Sequence, residues 1–173
     1  ECRADVVGYN FTKIINKNKH FLKCRKDINR INSNKKRLIK NFLYGEIDGS
    51  VIFSFKKRKI ILENNITFRK KTHEDIPFIF KVYYFSRKIV KHNKDIYFKV
   101  NRSSSIVNIF SSSRILNLLS AFKDVYKFLK KKNKKLAKKY QQIYIRGLVG
   151  CVGAFLINNF KYCIKNKELR FKN

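Results

Sequence analysis

SRILNLLSAFKDVYKFLKKKNKKLAKKYQQIYIRGLVGCVGAFLINNFKYCIKNKELRF, residues 113 to 171, is the stretch whose reading decides the fold. Apolar side chains recur at Ile115, Leu118, Leu119, Phe122, Val125, Tyr126, Leu129, Leu136 and Tyr140, a three-and-four spacing that puts them on one face of a helix. Lys130, Lys131, Lys132, Lys134, Lys135, Lys138 and Lys139 crowd its C-terminal half, where cations complement the negative end of the helix dipole. Such a helix packs on one side and meets negative charge on the other. The run Ile143-Tyr144-Ile145 ends at Arg146-Gly147 and is followed by Gly150 and Gly153, which predicts a strand entering a tight turn. Helical spacing resumes over Val152 to Phe160, and near-alternation over Tyr162 to Phe171 predicts a last strand. Strand, helix, strand with short joints predicts a parallel pair with a crossover helix.

Upstream, Phe78 to Phe85 is apolar on both faces apart from Lys81 and reads as a buried strand followed by Arg87 and Lys88. His92-Asn93-Lys94-Asp95 reads as a turn before a strand with Ile96, Phe98 and Val100 on one face, together a hairpin or meander. The small polar runs 101–105 and 111–114, with Arg102, Ser103 and Arg114, read as a loop leading to a helix N-cap. Its hydroxyls, N–H groups and guanidinium groups suit phosphate. A basic cluster, Arg69-Lys70-Lys71, precedes the single proline, Pro77, and marks a boundary there. Residues 1–76 are therefore expected to form a basic N-terminal extension, and 77–173 an α/β domain. Within the extension, Ile28, Ile31, Leu38, Ile39 and Phe42 can stripe a helix, and Gly45 to Gly49 is a turn. Val51 to Phe55 and Ile60 to Leu62 are expected to form a hairpin whose tip, Lys56-Lys57-Arg58-Lys59, is either a solvated basic turn or a finger that grips phosphate.

Charge bounds the function. Across 173 residues, 42 Lys and Arg against 11 Asp and Glu give a formal net charge of +31. That self-repulsion opposes a compact state until a polyanion neutralises it, and its spread along the whole chain favours nucleic acid over a membrane surface or an acidic protein. The acids Asp27, Glu46, Asp48, Glu63, Glu74, Asp75, Asp95, Asp124 and Glu168 are scattered with no carboxylate cluster for two-metal chemistry. His20, His73 and His92 have no evident nucleophile partner, so no enzyme is expected. Cys2, Cys24, Cys151 and Cys163 lack metal-ligand spacing, and neither a metal nor a cofactor is expected. The longest uncharged run, Gly147 to Phe160, is shorter than the ~20 residues of a membrane span. The bias toward Ile, Asn, Lys, Phe and Tyr points to an AT-rich genome, and a start on Glu1 suggests that an initiator Met has been removed or is not included.

Taken in order, Ile79 to Phe85, Asp95 to Val100, Arg102 to Arg114, Ser113 to Tyr140, Ile143 to Gly147, Val149 to Phe160 and Ile164 to Phe171 resemble small-subunit ribosomal protein eleven. That family has a hairpin, a Ser-rich basic loop, a helix, a strand ending in a basic Gly-rich turn, and a second helix. Small-subunit ribosomal protein three is the rival, through Gly147-Leu148 and Gly153-Ala154. The first resemblance implies a mixed sheet with flanking helices of the ribonuclease-H-like ribosomal type, lying on ribosomal RNA beside other ribosomal proteins in a mitochondrial or other organellar (alternatively plastid-type) ribosome, without catalysis. The residues expected at RNA are Lys56, Lys57, Arg58, Arg87, Lys88, Arg102, Ser103, Arg114, Lys130, Lys131, Lys134, Lys135 and Arg146. The alternatives are another basic nucleic-acid binder, viral or nucleoid, or a secreted or membrane-surface cationic protein.

Overall fold

The computed structural model describes residues 3–15, 18–22, 35–47, 49–100 and 112–170. They form a mixed α/β fold with a small four-stranded sheet and six helices. Strand β1 (Val6–Ile15) is central. Along one edge it pairs antiparallel with β3 (Ser54–Lys56) and, further on, with β2 (Asn18–Leu22). It also pairs in parallel with β4 (Ile89–Val100). The sheet therefore draws on both sides of Pro77. Val6 pairs with Lys56 and also with Ile89, so one residue brings the two basic segments around 57 and 87 to the same end of the sheet.

Several expected elements take other forms, each for a local reason. The expected strand Phe78 to Phe85 is helix α3 (Asp75–Phe85). Pro77 sits in its first turn, where the missing N–H is harmless, and Asp75 favours the positive end of the dipole. Phe78, Ile79, Phe80, Val82 and Tyr83 are all buried, and a helix enclosed on every side has no apolar stripe to betray its period. The expected hairpin over 51–62 is a short 3-10 turn (Val51–Phe53), β3 and helix α2 (Arg58–Glu63), so Lys56 to Lys59 is no loop tip. The expected turn at His92 to Asp95 lies inside one continuous strand. There the register slips, from Tyr9 opposite His92 to Asn10 opposite Asp95 and Phe11 opposite Tyr97, which is a bulged irregularity and not a reversal.

The long basic helix divides. Helix α4 (Ser112–Lys132) stops at Asn133, whose side chain accepts a hydrogen bond from the Leu136 N–H at 2.9 Å and caps α5 (Lys134–Lys139). The strand expected at Ile143 to Ile145, and that expected at Tyr162 to Phe171 as far as Arg170, are instead parts of one helix, α6 (Gln141–Arg170); Phe171 lies outside the described residues. Gly147 lets that helix pass close to the backbone that ends α1 (Lys35–Leu43). A Cβ there would lie 1.9 Å from the carbonyl oxygen of Leu43, so only glycine lets α6 cross the end of α1. Gly45, with φ +77°, turns the chain away just after α1.

The core lies among α1, α3, α4 and the start of α6. Leu38, Ile39, Phe42 and Leu43 from α1 meet Phe78, Ile79, Phe80 and Val82 from α3 and Val125 and Leu129 from α4, with Ile143 and Tyr144 packed against them. The stripe read from the sequence on α4 is the one that is buried: Leu118, Phe122, Val125 and Leu129. From the sheet, the paired residues Val6 and Ile89 join this cluster. Further along, rings gather on β1 and its neighbours. Phe11 stacks on Phe53 at 4.0 Å, and Tyr9 meets Phe55 at 5.0 Å. Phe122 also lines a cavity of about 410 Å³ with Phe42, Ile76, Leu118 and Cys151. Phe122→Ala enlarges that space and is expected to cost about 3–5 kcal/mol in urea unfolding.

Candidate nucleic-acid interface

Asp5 organises the basic end of the sheet. Its carboxylate accepts the backbone N–H of Arg87 at 2.7 Å and of Lys88 at 3.1 Å, and pairs with the Lys57 ammonium at 3.1 Å. Its backbone adds two bonds, accepting from the Lys57 N–H at 2.9 Å and donating to the Lys88 carbonyl at 2.8 Å. Burial alone would raise the pKa of this carboxyl, but the Arg87 N–H, the Lys57 side chain and the Lys88 N–H together hold it below its ordinary value. One carboxylate thus gathers two cationic segments thirty residues apart in sequence, while Lys57, Arg58, Lys59, Arg87 and Lys88 all remain exposed.

A third cationic segment arrives through Phe85. The last turn of α4 places the Lys132 ammonium 5.4 Å from the centroid of the Phe85 ring. That ring belongs to a hub in which Tyr84, Phe85 and Phe128 meet at steep angles, with centroids 5.2 to 5.8 Å apart. Lys35 at the start of α1 lies 5.2 Å over Tyr84, and Lys81 lies 6.0 Å over Phe128. Aromatic faces hold these ammonium groups by cation–π attraction without neutralising them, so they keep their charge for an outside anion. Phe85 also lines a cleft of about 560 Å³ with Asp5, Lys57, Lys59, Ile60, Glu63, Asn64 and Arg87. Cations from α1, α2, α3, α4 and the turn before β4 therefore surround one aromatic hub.

The remaining expected residues scatter. Lys130 and Lys131 are exposed at the end of α4, and Lys134 and Lys135 are exposed on α5, beyond the kink at Asn133. Arg114 is half-buried in the first turn of α4, and Arg146 is exposed on α6; neither is among the residues of the Phe85 cleft. Arg102 and Ser103 lie outside the described residues. Lys56 turns inward, its ammonium donating to the carbonyls of Val51 and Ser54. Burial lowers its pKa from 10.5 to about 8. Because the fold favours the neutral amine, the cost of the buried charge is fully present below pH 8 and fades as pH rises from there toward 10.5. Stability should rise across that window, and rise less in Lys56→Met. Urea unfolding of both proteins at several pH values across it checks this.

Sequence reasoning missed Asp5, Phe85, Lys35 and Lys81. The only signal available was the run Tyr84-Phe85-Ser86-Arg87-Lys88, rings directly followed by cations. It also missed Arg69, which donates to Asp124 at 2.9 Å from a largely buried guanidinium and ties the loop before α3 to α4. No protein-family model matches the chain, and no curated protein matches it significantly. Among the described residues, no three His, Cys, Asp or Glu side chains are grouped to hold a metal, and no helix is long and apolar enough to cross a membrane.

Proposed function

We propose that the chain binds RNA through the cationic pole around Phe85 and is a structural, non-catalytic constituent of a ribosome, the small subunit of a mitochondrial or other organellar particle. The observation that carries this reading is the meeting of basic segments 57–59 and 87–88, tied together by Asp5, with Lys132 of α4 brought to the same place over the Phe85 ring. A formal +31 on 173 residues supplies the need for a polyanion, and exposed Lys and Arg on several elements supply a shape able to follow a phosphate backbone. Catalysis plays no part in this reading, which assigns the exposed cations around Phe85 to phosphate binding. The ribonuclease-H-like sheet implied by the ribosomal resemblance drew on strands at 79–85, 143–147 and 164–171. Those segments are helical, or helical as far as they are described, so the proposal rests on charge and geometry and not on that fold.

Binding to the folded state alone stabilises it by RT ln(1 + [L]/Kd), about 2.7 kcal/mol at a hundredfold excess over Kd, which for a domain of this size raises Tm by roughly 5–10 °C. Structured RNA should produce that shift at low salt, and the shift should shrink as salt is added. An unchanged Tm with saturating RNA would refute the proposal.

A further inference from the structure

The cleft beside Phe85 differs in chemistry from the exposed cations around it. Its walls include the carboxylates of Asp5 and Glu63, so a phosphate entering it would meet like charge. Asp5 is already engaged by Lys57 and by the N–H groups of Arg87 and Lys88. Glu63 has an exposed pairing with Lys59 at 3.6 Å, and Asn64 spends one side-chain N–H on the Ile60 carbonyl at 2.9 Å. The acceptors that the cleft offers are the Glu63 carboxylate and the Asn64 amide oxygen, beside the second amide N–H of Asn64 and the cations of Lys57, Lys59 and Arg87. An aromatic ring, Phe85, stands among them; neither Tyr84 nor Phe128 lies parallel to it, the interplanar angles being 87° and 74°, and the Lys132 ammonium over the ring, 5.4 Å from its centroid, leaves the opposite face for a base. About 560 Å³ suits a planar heterocycle, and Lys57, Lys59 and Arg87 at the same walls suit the phosphates on either side of it.

Resting on the RNA-binding reading above, we infer that this cleft receives a single unpaired nucleobase of the bound RNA, stacked on Phe85 with its exocyclic amino group toward Glu63 and Asn64, while the flanking phosphates meet Lys57 and Arg87. The ligand is then single-stranded or looped RNA, since a base in a duplex stack presents no free face. Stacking is insensitive to salt, whereas the phosphate contacts are not, so the two contributions separate experimentally.

The test uses the full chain and two RNAs of equal charge, a single strand carrying 2-aminopurine and a blunt duplex. Wild type should quench the 2-aminopurine fluorescence. Phe85→Leu, which keeps apolar bulk but removes the ring, should lose on the order of 10-fold affinity for the single strand, with an unchanged salt slope and unchanged duplex binding. Phe85→Tyr, keeping the ring, should restore the quenching. Circular dichroism and Tm of the two variants show whether the fold is kept. If Phe85→Leu binds the single strand as wild type does while Lys57→Gln with Arg87→Gln still weakens binding, the base pocket is wrong and the RNA reading stands. If wild type binds neither RNA, both fall.

Discussion

Gly147→Ala is expected to destabilise the protein by about 3 kcal/mol or more, the upper end of what overpacking costs, because the added methyl would meet backbone and not a side chain that can swing aside. The obstacle is the Leu43 carbonyl oxygen at 1.9 Å, with the Leu43 carbonyl carbon at 2.9 Å and the Tyr44 Cα at 3.0 Å. Relief requires α6 to lift from α1, which would loosen Ile143 and Tyr144 from the core and part the stacked rings of Tyr126 and Tyr144, 4.5 Å apart. Gly150 and Gly153 lie on the same helix with nothing within 4 Å of an added Cβ. Replacing either by Ala removes a poor helix former at no steric cost and should stabilise by ~0.8–1 kcal/mol. Opposite signs at positions three residues apart, read by urea unfolding, are the signature of a continuous α6. A glycine turn between a strand and a helix would penalise all three.

The second large effect falls on binding. Changing Lys57, Arg87, Lys88 and Lys132 together to Gln should lower RNA affinity on the order of 100- to 1,000-fold at ~0.1 M salt and flatten the dependence of log Kobs on log salt by about 3 units, near 0.7 per lost contact with single strands. The fold should persist, since the N–H groups of residues 87 and 88 that hold Asp5 belong to the backbone. Changing Lys131, Lys134 and Lys135 to Gln removes three exposed charges and should flatten the slope by up to ~2 units if each touches phosphate. An unchanged slope in that triple variant would leave those lysines as a solvated face and confine binding to the pole.

How much of this was legible in the sequence depended on how local its cause was. The α4 stripe was readable because one face is apolar and the other cationic, and period alone then names the helix. α3 was not, because burial on every side erases the contrast that carries the period; the fact that it was buried came through, and its conformation did not. α6 was hidden by Ile143-Tyr144-Ile145 and by three glycines read as a turn, of which Gly147 serves a close approach to Leu43, far away in sequence. The same limit applies to the site. Lys57, Arg87 and Lys88 stood out as cations, but their meeting depends on Val6 pairing with both Lys56 and Ile89, and on Asp5 beside it. Neither partner choice is written within either basic segment. Lys56 was misplaced for a related reason, since a charge next to other charges in sequence can still be the one that the fold turns inward.

The most direct test of the central claim is amine footprinting: brief acetylation of the protein with and without bound RNA, followed by mass spectrometry of each lysine. Lys57, Lys59, Lys88 and Lys132 should be strongly protected by RNA, while Lys70 and Lys71 in the loop before α3 and Lys94 and Lys99 on β4 should react almost as fast as in the free protein. Protection spread evenly over all of these, or concentrated on β4 with the lysines around Phe85 left reactive, would contradict the assignment of the pole as the RNA-binding surface.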